Sequence, residues 1–170
     1  MPEQQTVKYR IEPFASHHDR TAFSCGVAAL DTYIQKQAGQ DLERRLAAIF
    51  VLTTDGKSIA GFYALSASTI HSEDLPPDQA KRLPRFPLPV TLLGRMAVQQ
   101  ILQRQRLGEF LLTDALKRAW DGSKQVASWA VTVDAKQGAR DFYIKHGFIP
   151  TASCPDRLFY PMKTIEKLFA

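Results

Sequence analysis

The sequence predicts a mixed α/β fold built around one sheet, because segments with strand signals alternate along the chain with segments that have helix signals. Leu107–Asp121 is the clearest helix, since its apolar residues recur at helical spacing and form a wide stripe. Val126–Asp134 instead alternates apolar and polar residues with the period of a strand. The 170 residues, 45% of them hydrophobic, can bury a sizeable core, so we expect a single domain over residues 1–170.

The N-terminal half is predicted to contain three strands and one helix. Val27–Gly39 has apolar residues four positions apart on one side, which is typical of a helix. Asp55-Gly56 is a turn signal between two strands. The strands are expected at Lys8–Glu12, Ala47–Leu52 and Ile59–Thr69.

A proline-rich stretch over residues 76–89 predicts an irregular crossover with one short helical turn at Asp78–Arg82. A long strand is expected next, at Val90–Val98. Two glycines are expected to end helices: Gly122 after Leu107–Asp121, and Gly147 after a second helix at Lys136–His146. The last predicted strand is Arg157–Pro161.

Charge and cysteine content limit the possible functions. The net charge of +5 and the sequence pI of about 9.3 make an anionic partner plausible. Cys25 and Cys154 are far apart and show no metal-ligand spacing, so we expect two reduced thiols and no metal. The first ten residues lack an apolar segment, and no run approaches the ~20 apolar residues of a membrane span. We therefore expect a cytoplasmic protein without a membrane segment.

The segment between the Val90–Val98 strand and the Leu107 helix carries the main chemical signal. A helix N-terminus presents unpaired backbone N–H groups and a partial positive charge, which suit a phosphate. Arg104 and Arg106 would add cationic donors in the loop before the helix. The other interpretation is a solvated turn before a helix that packs on the core.

This segment resembles the pyrophosphate loop of the GNAT family (the Gcn5-related N-acetyltransferases), whose pattern is Gln/Arg-x-x-Gly-x-Gly/Ala. Here it reads Gln103-Arg104-Gln105-Arg106-Leu107-Gly108, with Arg106 in place of the first glycine. That glycine lets the backbone approach the diphosphate closely. The departure leaves open an outward-pointing side chain, a weaker coenzyme site, or a direct phosphate contact by Arg106.

The resemblance implies the GNAT fold, a twisted, mixed but mostly antiparallel central sheet with splayed middle strands and flanking helices. It also implies acetyl-CoA as co-substrate without a metal. The residues that it assigns to acetyl-CoA are Met96, Ala97, Val98, Gln103, Arg104, Gln105, Arg106, Leu107, Gly108 and Phe142.

A second match lies downstream, where Phe142-Tyr143 is followed by three residues and then Gly147-Phe148. Periodicity alone makes Tyr143 an aromatic core residue. In the GNAT family a tyrosine at this position points at the coenzyme sulfur, so the resemblance implies that Tyr143 is the general acid. The backbone N–H of Val98 would stabilise the oxyanion.

A narrower resemblance is to the GNAT toxins of bacterial toxin–antitoxin pairs, and it runs from about Phe23 to Met162. Its motifs are Phe23-Ser24-Cys25-Gly26 with Leu30-Asp31, Gly61 to Ser66, the Leu75–Pro89 crossover, and Leu93-Gly94-Arg95-Met96-Ala97-Val98. It implies acetylation of the α-amino group on aminoacyl-tRNA, a ribbon-helix-helix antitoxin and a homodimer. The cations that we expect to contact tRNA phosphates are Arg95, Arg85, Arg82, Lys81 and Arg140. Because Arg95 lies in an apolar strand, we expect it to have an anionic partner.

Two other functions remain open. The chain could be a GNAT enzyme for a small amine or a protein N-terminus, which needs the same coenzyme site without a nucleic-acid surface. It could also be a non-catalytic binding module, for which Arg106 in place of glycine is the only support. An α-amine, with a pKa of about 7.7–8.0, needs less help from a general base than a lysine side chain does.

Overall fold

The structure, a computed structural model, describes residues 8–135 and 138–170. The chain forms two compact units. One contains the residues up to Ala64 together with Arg95–Asp114, and the other contains Leu65–Gly94 together with Ala115–Ala170. Two strands and one long helix pass from one unit into the other, and each unit has its own hydrophobic core.

Seven strands form one sheet in the order β1-β2-β3-β4-β5-β7-β6. Three neighbouring pairs, β1/β2, β5/β7 and β6/β7, are antiparallel, and β4/β5 is parallel. This arrangement confirms the predicted mixed, mostly antiparallel sheet. The strands are β1 Arg10–Pro13, β2 Ala48–Thr53, β3 Gly61–Ile70, β4 Leu88–Val98, β5 Ala130–Asp134, β6 Ile149–Pro150 and β7 Arg157–Pro161.

The first unit packs a helical segment against its strands. The segment consists of α1 (Ala28–Thr32), a π-helical turn (Tyr33–Gln37) and α2 (Ala38–Glu43). The predicted helix Val27–Gly39 is therefore confirmed, but it continues to Glu43 and contains a wider turn that no sequence signal indicated. Its apolar side packs into the core of this unit, which includes Phe23, Ile34, Ile49, Val51 and Phe62.

The second unit contains α3 (Pro77–Ala80), α5 (Arg140–Lys145) and α6 (Met162–Phe169). The helix α4 (Leu107–Ser123) begins in the first unit and ends in the second. The core of the second unit includes Ile70, Leu75, Leu88, Val90, Ala130 and Phe159. None of the helices in the described part of the chain is long and apolar enough to cross a membrane.

The middle of the sheet opens between β4 and β5. The parallel ladder pairs only Val90–Leu92 with Ala130–Thr132. Leu93 and Gly94 of β4, like Val133 and Asp134 of β5, extend beyond this ladder. The predicted splaying of the middle strands is thus visible in the second unit.

Several boundaries differ from the predictions. The strand expected at Val126–Asp134 begins at Ala130, because the chain first completes a turn after α4. Gly122 does not end α4 but lies inside its last turn. The helix expected at Lys136–His146 begins at Arg140, and Lys136 with Gln137 lies outside the described residues. Gly147 does follow the end of α5, where its φ of +105° and the Tyr160 ring beside its Cα exclude a side chain.

Candidate active site

The end of β4 lies against the start of β3 in the first unit. A Cβ atom on Gly61 would lie 2.9 Å from the carbonyl oxygen of Ala97, so only glycine permits this close approach. Gln99 N donates to Ala60 O at 2.8 Å. Because successive peptide groups of a strand point to opposite sides, the N–H and C=O of Val98 point away from β3. The Val98 N–H, predicted as the oxyanion donor, is therefore not used by that neighbouring strand.

The loop after β4 ends in a row of backbone donors. A short 3₁₀ turn, Gln100–Leu102, leads into the loop, and α4 begins at Leu107 with Phe110 N donating to Arg106 O. Within the described residues, the backbone N–H groups of Arg104 through Gly108 have no protein acceptor. Five consecutive free N–H groups at the positive end of a 17-residue helix form a cradle suited to an anion.

The conformation of Arg106 answers the question that its sequence position raised. Its φ is +61°, and that of Arg104 is +69°, so both lie in the left-handed region that favours glycine. An L-residue adopts this conformation at a cost of about 1–2 kcal/mol. The Arg106 side chain is exposed. Arg106 thus combines a left-handed backbone conformation with an exposed side chain.

Glutamine side chains fix the loop to the segment Ala22–Gly26. Gln99 accepts a hydrogen bond from Ser24 N at 2.8 Å and donates one to Ala22 O at 3.3 Å. Gln103 Nε2 donates to Cys25 O at 2.9 Å and to Val98 O at 3.1 Å. Gln103, predicted to bind the coenzyme, uses its side-chain amide to position the loop.

Residues of the following helical segment also hold Ala22–Gly26 in place. Asp31 accepts a hydrogen bond from Cys25 N at 2.8 Å, and Gln35 donates one to Phe23 O at 2.9 Å. These contacts give the Phe23-Ser24-Cys25-Gly26 and Leu30-Asp31 motifs a shared structural role, since both orient the backbone against which the loop rests. The buried Cys25 thiol is not activated, because burial, followed by the nearby Asp31 carboxylate, raises its pKa to about 11.

Arg95 has an aromatic partner in the first unit. Its guanidinium carbon lies 3.8 Å from the centre of the Tyr33 ring. The Tyr33 hydroxyl donates to Asp41 at 2.9 Å, and burial together with this carboxylate raises the pKa of Tyr33 to about 12. Arg95 forms no ion pair with any residue that the structure describes, so its expected anionic partner stays a prediction.

Tyr143 lies on α5 in the second unit and is 6% exposed. Its ring meets Phe142 and Phe148 edge-on, with centroids 5.3 and 5.4 Å away. No hydrogen-bond partner for its hydroxyl occurs among the described residues, and burial alone raises the pKa of this phenol well above its ordinary value. The group is therefore a neutral O–H donor throughout the physiological pH range.

The predicted tRNA-contacting cations of the second unit do not all have the same surroundings. Lys81, Arg82 and Arg85 are exposed, and Lys81 and Arg85 line a cavity of about 530 Å³. Arg140 is half-buried, and its Nε donates to Pro155 O at 3.0 Å. The first three are available to a ligand, whereas Arg140 also braces the loop before β7.

One group of potential metal ligands occurs among the described residues, formed by Glu12, His17 and His18. His18 Nδ1 lies 3.0 Å from Ala15 N and 3.3 Å from Ala15 O, and its Nε2 contacts Glu12 Oε1 at 2.7 Å. Both ring nitrogens are therefore already used. The hydrogen bonds with His18 and Arg10 lower the pKa of Glu12, which fits an ion-paired surface carboxylate.

Comparison with known proteins agrees with this geometry. Residues 18–157 match the acetyltransferase (GNAT) domain family. The chain therefore belongs to the GNAT acetyltransferase family.

The curated relatives narrow the similarity further. The chain is 30% identical to a probable toxin TacT of Sinorhizobium fredii, over 99% of both chains. It is 34% identical to a tRNA-acetylating toxin of Mycobacterium tuberculosis, over 88% of this chain and 90% of that protein.

Solved structures of toxins share the fold. A tyrosine-to-phenylalanine mutant of KacT superposes with a TM-score of 0.90 at 31% identity, covering 95% of this chain and 99% of that one. AtaT in complex with acetyl-methionyl-tRNAfMet gives a TM-score of 0.88 at 28% identity, covering 96% of this chain and 100% of that one. A tyrosine-to-phenylalanine mutant of AtaT has been solved with the C-terminus of the antitoxin AtaR and acetyl-CoA. It superposes with a TM-score of 0.82 at 26% identity, covering 95% of this chain and 98% of that one.

Proposed function

We propose that this chain transfers the acetyl group of acetyl-CoA to the α-amino group of aminoacyl-tRNA and acts as the toxin of a toxin–antitoxin pair. The observation that carries this proposal is the row of five backbone N–H groups without a protein acceptor at Arg104–Gly108. A diphosphate is the ligand that such a row, placed at a helix N-terminus, binds best. The row lies in the segment that resembles the pyrophosphate loop of the GNAT family.

For coenzyme binding we assign the backbone of Met96–Val98, the loop Gln103–Gly108, and Phe142. The five free N–H groups would donate to the diphosphate oxygens, and the exposed Arg104 and Arg106 would add positive charge around them. Gln103 would act through its hydrogen bonds to Cys25 O and Val98 O, which hold the loop in place. Acetyl-CoA would supply the acetyl group as a thioester.

Two groups would assist the transfer, in which a bond forms from the amine nitrogen to the acetyl carbon and the carbon–sulfur bond breaks. The Val98 N–H would stabilise the negative charge that develops on the acetyl oxygen. The Tyr143 hydroxyl would donate its proton to the departing sulfur. The proton that the amine loses would replace the one that Tyr143 donates. The choice of Tyr143 for this role rests on the family resemblance and on its buried, neutral hydroxyl.

The acceptor is proposed from the relatives and from the charge. A tRNA-acetylating toxin and AtaT with acetyl-methionyl-tRNAfMet are both similar to this chain over at least 88% of its length. Lys81, Arg82 and Arg85 are exposed cations that suit phosphate contacts, and we also assign Arg95 and Arg140 to tRNA binding. The net charge of +5 favours an RNA substrate over a neutral amine.

The proposed partner is an antitoxin, as in the AtaT complex with the C-terminus of AtaR. We further propose that this antitoxin has a ribbon-helix-helix domain and that the toxin is a homodimer formed from single GNAT domains of residues 1–170. The reaction would take place in the cytoplasm, where aminoacyl-tRNA is used.

The direct test is to incubate the protein with aminoacyl-tRNA and acetyl-CoA labelled in the acetyl group. We expect the label on the aminoacyl moiety, and no label when the α-amino group has been blocked beforehand. Aminoacyl-tRNA that stays unlabelled while calorimetry shows acetyl-CoA binding would remove the tRNA substrate and favour a small amine or a protein N-terminus. No measurable affinity for acetyl-CoA would favour the non-catalytic module.

Salt dependence separates the two enzymatic functions further. Phosphate contacts release counterions, so KM for aminoacyl-tRNA should rise steeply as salt increases from about 50 to 200 mM. KM for a small amine would change little over the same range.

A further inference from the structure

One exposed loop of the second unit has cations and an aromatic ring side by side. The basic loop, as we name residues Lys81–Pro87, contains Lys81, Arg82 and Arg85, which are all exposed. None of these three cations forms an ion pair within the described residues. Their charges are therefore available to an external anion.

Phe86 stands out among the described phenylalanines because 65% of its surface is exposed. It lies between two residues that pack on the core of the second unit: Leu83, which is partly buried, and Leu88, which is buried. Pro84 and Pro87 flank the exposed stretch and restrict its backbone. The two ends of the loop are thus held on the core, and the Phe86 ring between them is exposed.

The ring and the cations beside it suit a single-stranded nucleic acid as the ligand. Each unpaired nucleotide offers one flat base and one phosphate, which pair respectively with an aromatic face and with Lys or Arg. The core of a protein interface is instead depleted of charged residues, whereas three exposed cations accompany Phe86 in this loop. Phe86 has charged residues and prolines around it in the loop, and the nearby cavity is lined in part by Glu73, Lys81 and Arg85.

We propose that Phe86 stacks on an unpaired base at the 3′ end of the tRNA while Lys81, Arg82 and Arg85 contact the neighbouring phosphates. The identity of the RNA rests on the proposed function. The amino acid is attached to this unpaired end, so an enzyme that acts on the α-amino group has to hold it.

Equilibrium binding of fluorescent, uncharged tRNA tests this proposal without needing the reaction. Phe86→Ala should weaken binding of intact tRNA by about 5- to 150-fold, the range for one stacked base. Phe86→Trp should bind within about threefold of wild type. For tRNA that lacks its unpaired 3′ nucleotides, Phe86→Ala and wild type should bind equally.

Leu168→Ala is the matched control, because Leu168 is a 56%-exposed apolar residue of the same unit outside the basic loop. It should leave the affinity for both RNAs unchanged. Melting curves of all variants should coincide, since Phe86 is exposed.

Equal affinity of Phe86→Ala and wild type for intact tRNA would overturn the proposal, as would an equal loss with the shortened tRNA. If Phe86→Ala instead weakened only self-association in sedimentation, the loop would be a protein interface and the proposal would be wrong. In each of these cases wild-type acetylation of aminoacyl-tRNA would still stand. Absence of that acetylation would count against the proposed function itself.

Discussion

Tyr143 is the residue on which the proposed chemistry depends most. Its ring is held by Phe142 and Phe148, while its hydroxyl has no hydrogen-bond partner among the described residues. Burial raises the pKa of the phenol, so the group stays protonated as pH rises and cannot serve as a base near neutrality. It can only donate, which suits protonation of a departing sulfur.

Tyr143→Phe should lower kcat by about 10²–10⁴-fold, the range for a lost acid–base group. KM for acetyl-CoA should stay within about threefold of wild type, because the ring packing is kept. Steady-state kinetics measures both values. The matched control is Tyr160→Phe, which removes the hydroxyl of another buried tyrosine of the same unit and should leave kcat unchanged.

The pH profile of the wild type adds a second check on this residue. The rate should rise as the α-amine acceptor loses its proton around pH 7.7–8.0 and should not fall again below about pH 10. A descending limb between pH 8 and 9 that disappears in Tyr143→Phe would contradict a raised pKa for Tyr143. Wild-type turnover in that variant would contradict its role altogether.

At the scale of elements, the loop between β4 and α4 is held by side chains from two directions. Gln99 bonds Ser24 N and Ala22 O, and Gln103 bonds Cys25 O and Val98 O. These bonds hold a loop in which two arginines have left-handed backbone conformations. A loop with this strain keeps its shape only when its surroundings fix it.

Gln99→Ala removes both bonds to the Ala22–Gly26 segment and should destabilise the protein by about 1–2 kcal/mol. It should raise KM for acetyl-CoA more than it lowers kcat, because the variant loosens the coenzyme loop and leaves Tyr143 intact. Gln99→Glu keeps the acceptor for Ser24 N and loses the donor to Ala22 O, so its effect should be intermediate. A Gln99→Ala enzyme with unchanged KM and melting temperature would show that the loop holds its shape without this clamp.

Most elements were predictable from periodicity, since buried strands such as β2 and the amphipathic α4 have strong signals. The structure adds elements whose signals are weak. The two-residue β6 is too short to show a period, and α6 follows β7 without a break at Met162. The π-helical turn at Tyr33–Gln37 has no residue signature, so the sequence could indicate only a helix there.

At the scale of the whole molecule, the two units carry different parts of the proposed function. The unit with Arg95–Asp114 contains the row of free N–H groups, and the unit with Ala115–Ala170 contains Tyr143 and the basic loop. The net charge of +5 suits both the coenzyme and the RNA. The fold confirms the GNAT architecture expected from the motifs.

The elements that carry the candidate site residues were predictable, but the local contacts of those residues were not. The motif placed the loop and Tyr143 correctly on their elements, whereas the left-handed φ of Arg104 and Arg106 has no signal in arginine. The roles of Gln99 and Tyr33 were also missed, because their partners, Ala22 with Ser24 and Arg95, are distant in sequence. Such pairings depend on tertiary contacts that neither composition nor spacing encodes.

The ¹⁵N–¹H NMR spectrum of the protein, titrated with coenzyme A, shows whether the diphosphate binds at the start of α4. If the diphosphate rests on the start of α4, the amide signals of Arg104–Gly108 should shift most, and their hydrogen exchange should slow as the free N–H groups gain acceptors. The exposed amides of Thr54 and Asp55 in the turn after β2 serve as the internal control and should not move. Saturable binding of coenzyme A that leaves the Arg104–Gly108 amides unshifted and still exchanging rapidly would show that the diphosphate binds elsewhere.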